Sequence, residues 1–110
     1  MFNFLKYNNM KAISVNDLDD LIGKINLIDI REPYEFKGGS LKSAKNVPMN
    51  TLLNNPDKYL NKVNTYYIMC LSGARSKMTC KALTHQGYDV VNVIGGIGSY
   101  VNRNKGRQTA

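Results

Sequence analysis

The chain carries dense apolar runs of strand length, each followed by turn residues and then by a stretch with helical spacing. The clearest runs are Ile25-Asn26-Leu27-Ile28-Asp29-Ile30, Tyr66-Tyr67-Ile68-Met69 and Val90-Val91-Asn92-Val93-Ile94. A strand that is apolar at successive positions, not only at alternate ones, has both faces covered, as inside a parallel sheet. Ala12-Ile13 and Ala44 to Pro48 are shorter strand candidates. From Arg75 to Gln86, Met78, Ala82 and Leu83 suit the apolar face of a helix, closed by Gly87. Ser14 reads as an N-cap with Asp17 three positions on, and Leu18, Leu21 and Ile22 continue at helical spacing until Gly23. Met49–Leu53 and Asp57–Leu60 are short helical pieces broken by Pro56. Arg31 to Phe36 reads as a loop or short helical turn, Gly38-Gly39-Ser40 and Gly95-Gly96 as turns, and Ile97 to Val101 as the start of a terminal helix. Strands alternating with helices predict an α/β fold with a mainly parallel central sheet flanked by helices.

At 110 residues, 43% of them apolar and 21% charged, the chain suits one compact domain and not wholesale disorder. Residues 1–11, rich in Asn and Lys without a clear period, read as a mobile lead-in; residues 12–101 form the domain; residues 102–110 form a polar, basic tail. No apolar run is long enough to span a bilayer, and the first residues lack a basic stretch followed by an apolar one. The expectation is a cytoplasmic protein with no membrane partner. The formal charge of +7 favours anionic partners. The lysines and arginines are spread along the chain with no nucleic-acid motif among them, so nucleic acid is not expected as a partner.

The cysteines are Cys70 and Cys80, which form no Cys-x-x-Cys pair and, with His85, no zinc spacing. In a parallel sheet the working site lies beyond the carboxyl ends of the strands, where Asp29 and Cys70 both fall. Cys70-Leu71-Ser72-Gly73-Ala74-Arg75 joins a strand to a helix. A loop this short, with glycine at its fourth position, can curl so that backbone N–H groups point inward, and the helix adds its positive end. A cysteine at the mouth of such a nest is a candidate nucleophile, because the thiolate is the reactive form. Cys80, inside the helix, reads as a core residue, with a resolving thiol as the alternative. Arg75 either grips an anion or pairs with Asp29 or Glu32 to hold the loop. Asp29 and Arg31 form a candidate ion pair at the strand end. His85, late in the helix, reads as a surface or C-terminal capping residue.

These segments, taken together, resemble the rhodanese-like sulfurtransferase domains of the single-domain type. Leu27 to Phe36 is similar to the family's first signature; Gly39-Ser40-Leu41 with Ala44 to Pro48 is similar to its second. Cys70 to Ser76 looks like its active-site loop, and Gly87 to Val90 with Val93 to Ile97 like its closing strand and turn. The likeness covers about residues 12–101. It implies a rhodanese fold and a persulfide relay. Cys70 takes sulfur from a small anionic donor such as thiosulfate, and a thiol or protein acceptor removes it. Leu71, Ser72, Gly73, Ala74, Arg75 and Ser76 then form the substrate cradle, with Asp29, Arg31 and Glu32 in support and no metal or organic cofactor. Ser40 stands where the family often has histidine, Tyr100 where it often has tryptophan, and Leu71 where thiosulfate-preferring members often carry a cation. Two other readings stay open. Phosphatases of the same fold have one more residue between Cys and Arg than the interval Leu71 to Ala74, and a non-enzymatic module would carry sulfur or dock an acidic partner.

Overall fold

Successive residues of the strand Thr65–Met69 point to opposite faces of a sheet, and both faces are covered: Tyr66, Tyr67, Ile68 and Met69 are all buried. The computed structural model describes residues 5–7 and 10–101. Its strands are β1 (Leu5–Tyr7), β2 (Met10–Ser14), β3 (Asn26–Asp29), β4 (Lys45–Asn46), β5 (Thr65–Met69) and β6 (Asp89–Ile94). They lie in the order β1-β2-β6-β5-β3-β4. Every neighbouring pair is parallel except β1 with β2. The helices are α1 (Pro33–Lys37), α2 (Met49–Asn54), α3 (Pro56–Tyr59) and α4 (Ala74–His85). The expected α/β architecture around a mainly parallel sheet is present.

The alternation along the strands sorts the core into two clusters. Ile28, Tyr66, Ile68 and Val90 face Leu52 of α2, Cys80 and Leu83 of α4 and, beyond α3, Leu60. Leu27, Tyr67, Met69, Val91 and Val93 face Val15, Leu18, Leu21 and Leu41. Cys70 continues the phase of Tyr66 and Ile68, so its side chain points under α4. Helix α4 ends as its glycine predicts. Gly87 has φ +93°, its N–H donates to Thr84 O, and Tyr88 N–H donates to Leu83 O, which is the Schellman arrangement.

Three expectations change. The helix expected after Ser14 is a 3-10 turn, Val15–Asp17, followed by further turns up to Gly23. Val15, Leu18 and Leu21 recur every third residue, a spacing that lines them up in 3-10 geometry, and all are buried. Residues 97–101 likewise give only a 3-10 turn, Ile97–Ser99. The second change concerns α4, whose buried face is Ser76, Thr79, Cys80 and Leu83, while Met78 is 65% exposed. Two hydroxyl residues hide this face from a hydrophobic count, because each satisfies its hydroxyl locally. Thr79 Oγ1 donates to Arg75 O at 2.8 Å, and Ser76 sits in the Cys70 loop. The third change is in the lead-in, which holds β1 and the first two residues of β2, with Leu5 against Ala12 and Tyr7 against Met10. The tail at 102–110 lies outside the described residues.

The corrected helix face is testable by equilibrium denaturation. Leu83→Ala is expected to cost ~2–5 kcal/mol by opening a core cavity. Met78→Ala is expected to stay within about 0.5 kcal/mol of wild type. Equal losses at both positions would return Met78 to the core.

Candidate active site

Cys70 follows the last residue of β5, and Gly73 stands at the N-cap of α4 with φ +101°. That left-handed turn is open to glycine, and a Cβ there would also come within 3.1 Å of Gly95 N. The turn folds the loop back over the sulfur. Gly73 N–H donates to Cys70 Sγ at 3.1 Å and Ser76 N–H at 3.3 Å, and Ser76 Oγ lies 3.5 Å away. The sulfur is fully buried. Burial alone pushes the thiol up, but the Ser76 hydroxyl and the N–H groups of Ser76, Gly73 and Ser72 outweigh it and hold Cys70 below its ordinary value. The nest is therefore formed, with the sulfur inside it and not at its mouth. Ala74 N–H turns instead to Ser72 Oγ at 3.4 Å. Leu71 and Ser72 are exposed.

A second loop braces this one from behind. Ile97 N–H donates to Cys70 O at 2.9 Å and Gly98 N–H to Leu71 O at 2.8 Å. The approach is close enough that a Cβ on Gly96, whose φ is +56°, would lie 2.3 Å from Cys70 O. On the α4 side a cavity of about 400 Å³ opens between Ser72, Gly73, Ala74 and Lys77 and the strand residues Ala12, Asn92 and Ile94.

The carboxylate that Arg75 pairs with is neither Asp29 nor Glu32, the partners expected if it holds the loop. It grips Glu35 of α1 with both guanidinium arms, Nη1 to Oε1 at 2.9 Å and Nη2 to Oε2 at 3.0 Å. The Arg75 hydrogen bonds, helped by Glu32 N–H donating to Oε1, hold the Glu35 carboxyl down at about 2. Asp29 is taken by Arg31, whose Nε and Nη2 reach its carboxylate at 2.8–3.1 Å. Ser40 Oγ donates to the same carboxylate at 2.7 Å, and Asn46 Nδ2 ties Asp29 O to Arg31 O. Asp29 and Arg31 thus set the frame at the end of β3 and do not touch Cys70. Glu32 is exposed at the N-cap of α1.

Cys80 is nearly as buried as Cys70 but has no such donors, and burial raises it to about 12. It stays a thiol at neutral pH. His85 is exposed in the last turn of α4. Among the described residues no cluster of His, Cys, Asp or Glu is arranged to hold a metal ion. The sequence reading missed Glu35 and Asn92. Glu35 stands three residues after Glu32, the spacing of a capping pair, and Asn92 is a polar residue inside an apolar run.

A cysteine held in an N–H nest between a parallel strand and a helix marks a class of α/β domains with a buried sulfur ringed by backbone donors. Within it, this chain belongs to the rhodanese-like family: the Rhodanese-like domain model matches residues 14–103. The Bacillus subtilis protein YtwF is 36% identical over 101 residues, spanning 87% of this chain and 95% of that one. An Allochromatium vinosum protein named Sulfurtransferase is 37% identical over 82 residues, spanning 74% of this chain and 72% of that one. The crystal structure of a rhodanese-like domain protein from Staphylococcus aureus superposes with a TM-score of 0.76 at 33% identity, covering 86% of this chain and 94% of that one.

The Glu35–Arg75 pair carries a pH signature. A depressed carboxyl contributes stability that is full above its ordinary value of 4.5 and is lost as pH falls through about 2. Glu35→Gln is therefore expected to be less stable than wild type at neutral pH, the gap closing below 4.5. A gap that persists undiminished in acid would show that the ion pair is not its source.

Proposed function

We propose that this protein moves sulfane sulfur from a donor to a thiophilic acceptor through a persulfide on Cys70. The observation that carries the reading is the nest itself. Gly73 and Ser76 N–H groups, 3.1 and 3.3 Å from Sγ, favour the sulfur anion in a site closed to bulk water. Cys70 thiolate attacks the outer sulfur of the donor, forming a Cys70 S–S bond as the donor's own bond to that sulfur breaks. With thiosulfate the bonding pair leaves on sulfite; with a persulfide it leaves on a thiolate. An acceptor thiolate then attacks the outer sulfur of the Cys70 persulfide, takes it, and returns Cys70 as thiolate. No net charge is created in either step, so backbone dipoles suffice and no metal or organic cofactor is needed. The name Sulfurtransferase borne by the Allochromatium vinosum relative supports the same chemistry. The proposed setting is the cytoplasm, where the free thiols of Cys70 and Cys80 stay reduced.

Arg75 argues against a phosphatase reading. Its planar fork, the group that would clamp a phosphate, is occupied on both arms by Glu35. Arg75 acts in this reading as a loop support, with Leu71, Ser72 and Ala74 shaping the donor's entry.

Intact mass after incubation with a sulfur donor tests the reading. Wild type is expected to gain one sulfur atom on Cys70, and Cys70→Ala to gain none and to lose all turnover. A Cys70→Ala variant that transfers sulfur at the wild-type rate would overturn it.

The donor is expected to be a persulfide or protein sulfur in preference to thiosulfate. The sulfonate end of thiosulfate needs a cation at the loop mouth. Leu71, 46% exposed there, supplies none, Arg75 is engaged, and Lys77, the nearest other candidate, lines the cavity on the α4 side. Leu71→Arg should raise kcat/KM for thiosulfate, since a hydrogen bond to a charged group contributes ~1.5–3 kcal/mol before desolvation. The gain should shrink with added salt. A wild-type KM for thiosulfate already in the low micromolar range, or no response to the arginine, would count against this donor preference.

A further inference from the structure

Asn92 interrupts the apolar run of β6 with a side-chain amide that is only 5% exposed. Val90, two residues earlier, faces the α4 side of the sheet, and Asn92 shares that direction. It meets the first turn of α4, where its Oδ1 lies 2.5 Å from Ser76 Oγ. Ser76 Oγ is in turn 3.0 Å from Gly73 O and 3.5 Å from Cys70 Sγ. A continuous buried chain thus runs from β6 to the sulfur.

The Ser76 hydroxyl has one proton and several neighbours that compete for it. When Cys70 is a thiol, its S–H donates to Ser76 Oγ and the Ser76 proton is directed to Asn92 Oδ1 or Gly73 O. When Cys70 is a thiolate, the sulfur needs that proton. Ser76 Oγ then turns a lone pair toward Asn92, and an acceptor facing it would be repelled. A carboxamide meets both demands, since a half-turn about χ2 replaces its oxygen by an N–H donor of almost the same shape. An apolar side chain of the same size meets neither.

We infer that Asn92 is a positioning residue for sulfur transfer: by hydrogen bonding Ser76 from β6, it sets whether the Ser76 hydroxyl proton points at Cys70 Sγ. Its importance for turnover rests on the sulfur-transfer reading; its effect on the Cys70 anion does not. In the persulfide the charge moves to the outer sulfur, Sγ no longer needs the proton, and the hydroxyl can turn back to Asn92 Oδ1. The chain therefore favours the anion on Sγ at the moment of attack and loosens once sulfur is loaded.

The test titrates Cys70 in the absence of any sulfur donor. Thiolate absorbance and the rate of iodoacetamide alkylation at Cys70 are followed against pH for wild type, Asn92→Leu, Asn92→Ala, Ser76→Ala and the Ser76→Ala/Asn92→Ala double variant. Without Asn92 the thiol state still has Gly73 O to take the Ser76 proton, but the thiolate state loses the N–H that faces Ser76 Oγ. The thiolate midpoint is therefore expected to move upward and alkylation at neutral pH to slow about tenfold, the scale of one hydrogen bond to a charged group. In the Ser76→Ala background the same loss should change nothing further, because the two residues act as one chain. No shift in the Asn92→Ala variant, or a shift that persists undiminished without Ser76, would overturn the inference. Asn92→Ala opens onto the existing cavity and so decides the matter if Asn92→Leu fails to fold. A wild-type protein that titrates as described yet never acquires sulfur would sink the sulfur-transfer reading and leave the role of Asn92 standing.

Discussion

A sulfur anion enclosed by protein must be met by donors that the protein itself supplies, because water cannot reach it. The two cysteines show how much depends on this. Cys70 and Cys80 are both shut off from solvent and share one core cluster, yet Cys70 is held below its ordinary value and Cys80 is pushed up to about 12. Burial acts on both in the same direction. The difference is the Gly73 and Ser76 N–H groups and the Ser76 hydroxyl, which reach one sulfur and not the other. Those donors exist only where a strand end, a left-handed glycine and the start of α4 coincide. The sheet order, the Gly73 turn and the close approach of Gly96 to Cys70 O all serve that coincidence.

Formal charge plays a different part. The carboxylates nearest the loop are committed to other work: Asp29 to Arg31 and Ser40, Glu35 to Arg75. These pairs hold loops in place, and the sulfur is faced by neutral dipoles. That division suits the proposed reaction, in which a single negative charge moves among sulfur atoms. A fixed cation against Sγ would hold the anion at one stage of the cycle and impede the next.

The central strands β3, β5 and β6, the α4 termini and the cysteine loop were legible because each is a local pattern: a dense apolar run, a closing Gly87, a glycine at the fourth loop position. The family followed from several such patterns in order. What stayed hidden was polar structure inside the core. Ser76 and Thr79 lie on the buried face of α4, and a count of apolar residues assigns that face to Met78 instead. Asn92 looks like a fault in a strand until its partner on α4 is known. Arg75 had more than one plausible carboxylate, and only the three-dimensional course of α1 selects Glu35. Thr79 is hidden by a local bond to Arg75 O, whereas at Asn92 and Arg75 the local rules fail because the hydrogen bonds close between segments distant in sequence.

The segment from Asp29 to Glu35 links these observations. The Arg31–Asp29–Ser40 set and the bonds from Asn46 fix where the chain leaves β3. Glu32 at the N-cap and Pro33 at the first position of α1 start the helix there. One turn later Glu35 is delivered to two duties at once: Oε1 accepts the Glu32 N–H, and both oxygens accept the Arg75 fork. A buried frame at one strand end is thereby coupled through a single short helix to the loop at the end of the next strand in the sheet, β5. The fork is held from outside the nest, and through it Arg75 ties the first turn of α4 to α1. The loop's size and the arginine's partner are then two aspects of one arrangement.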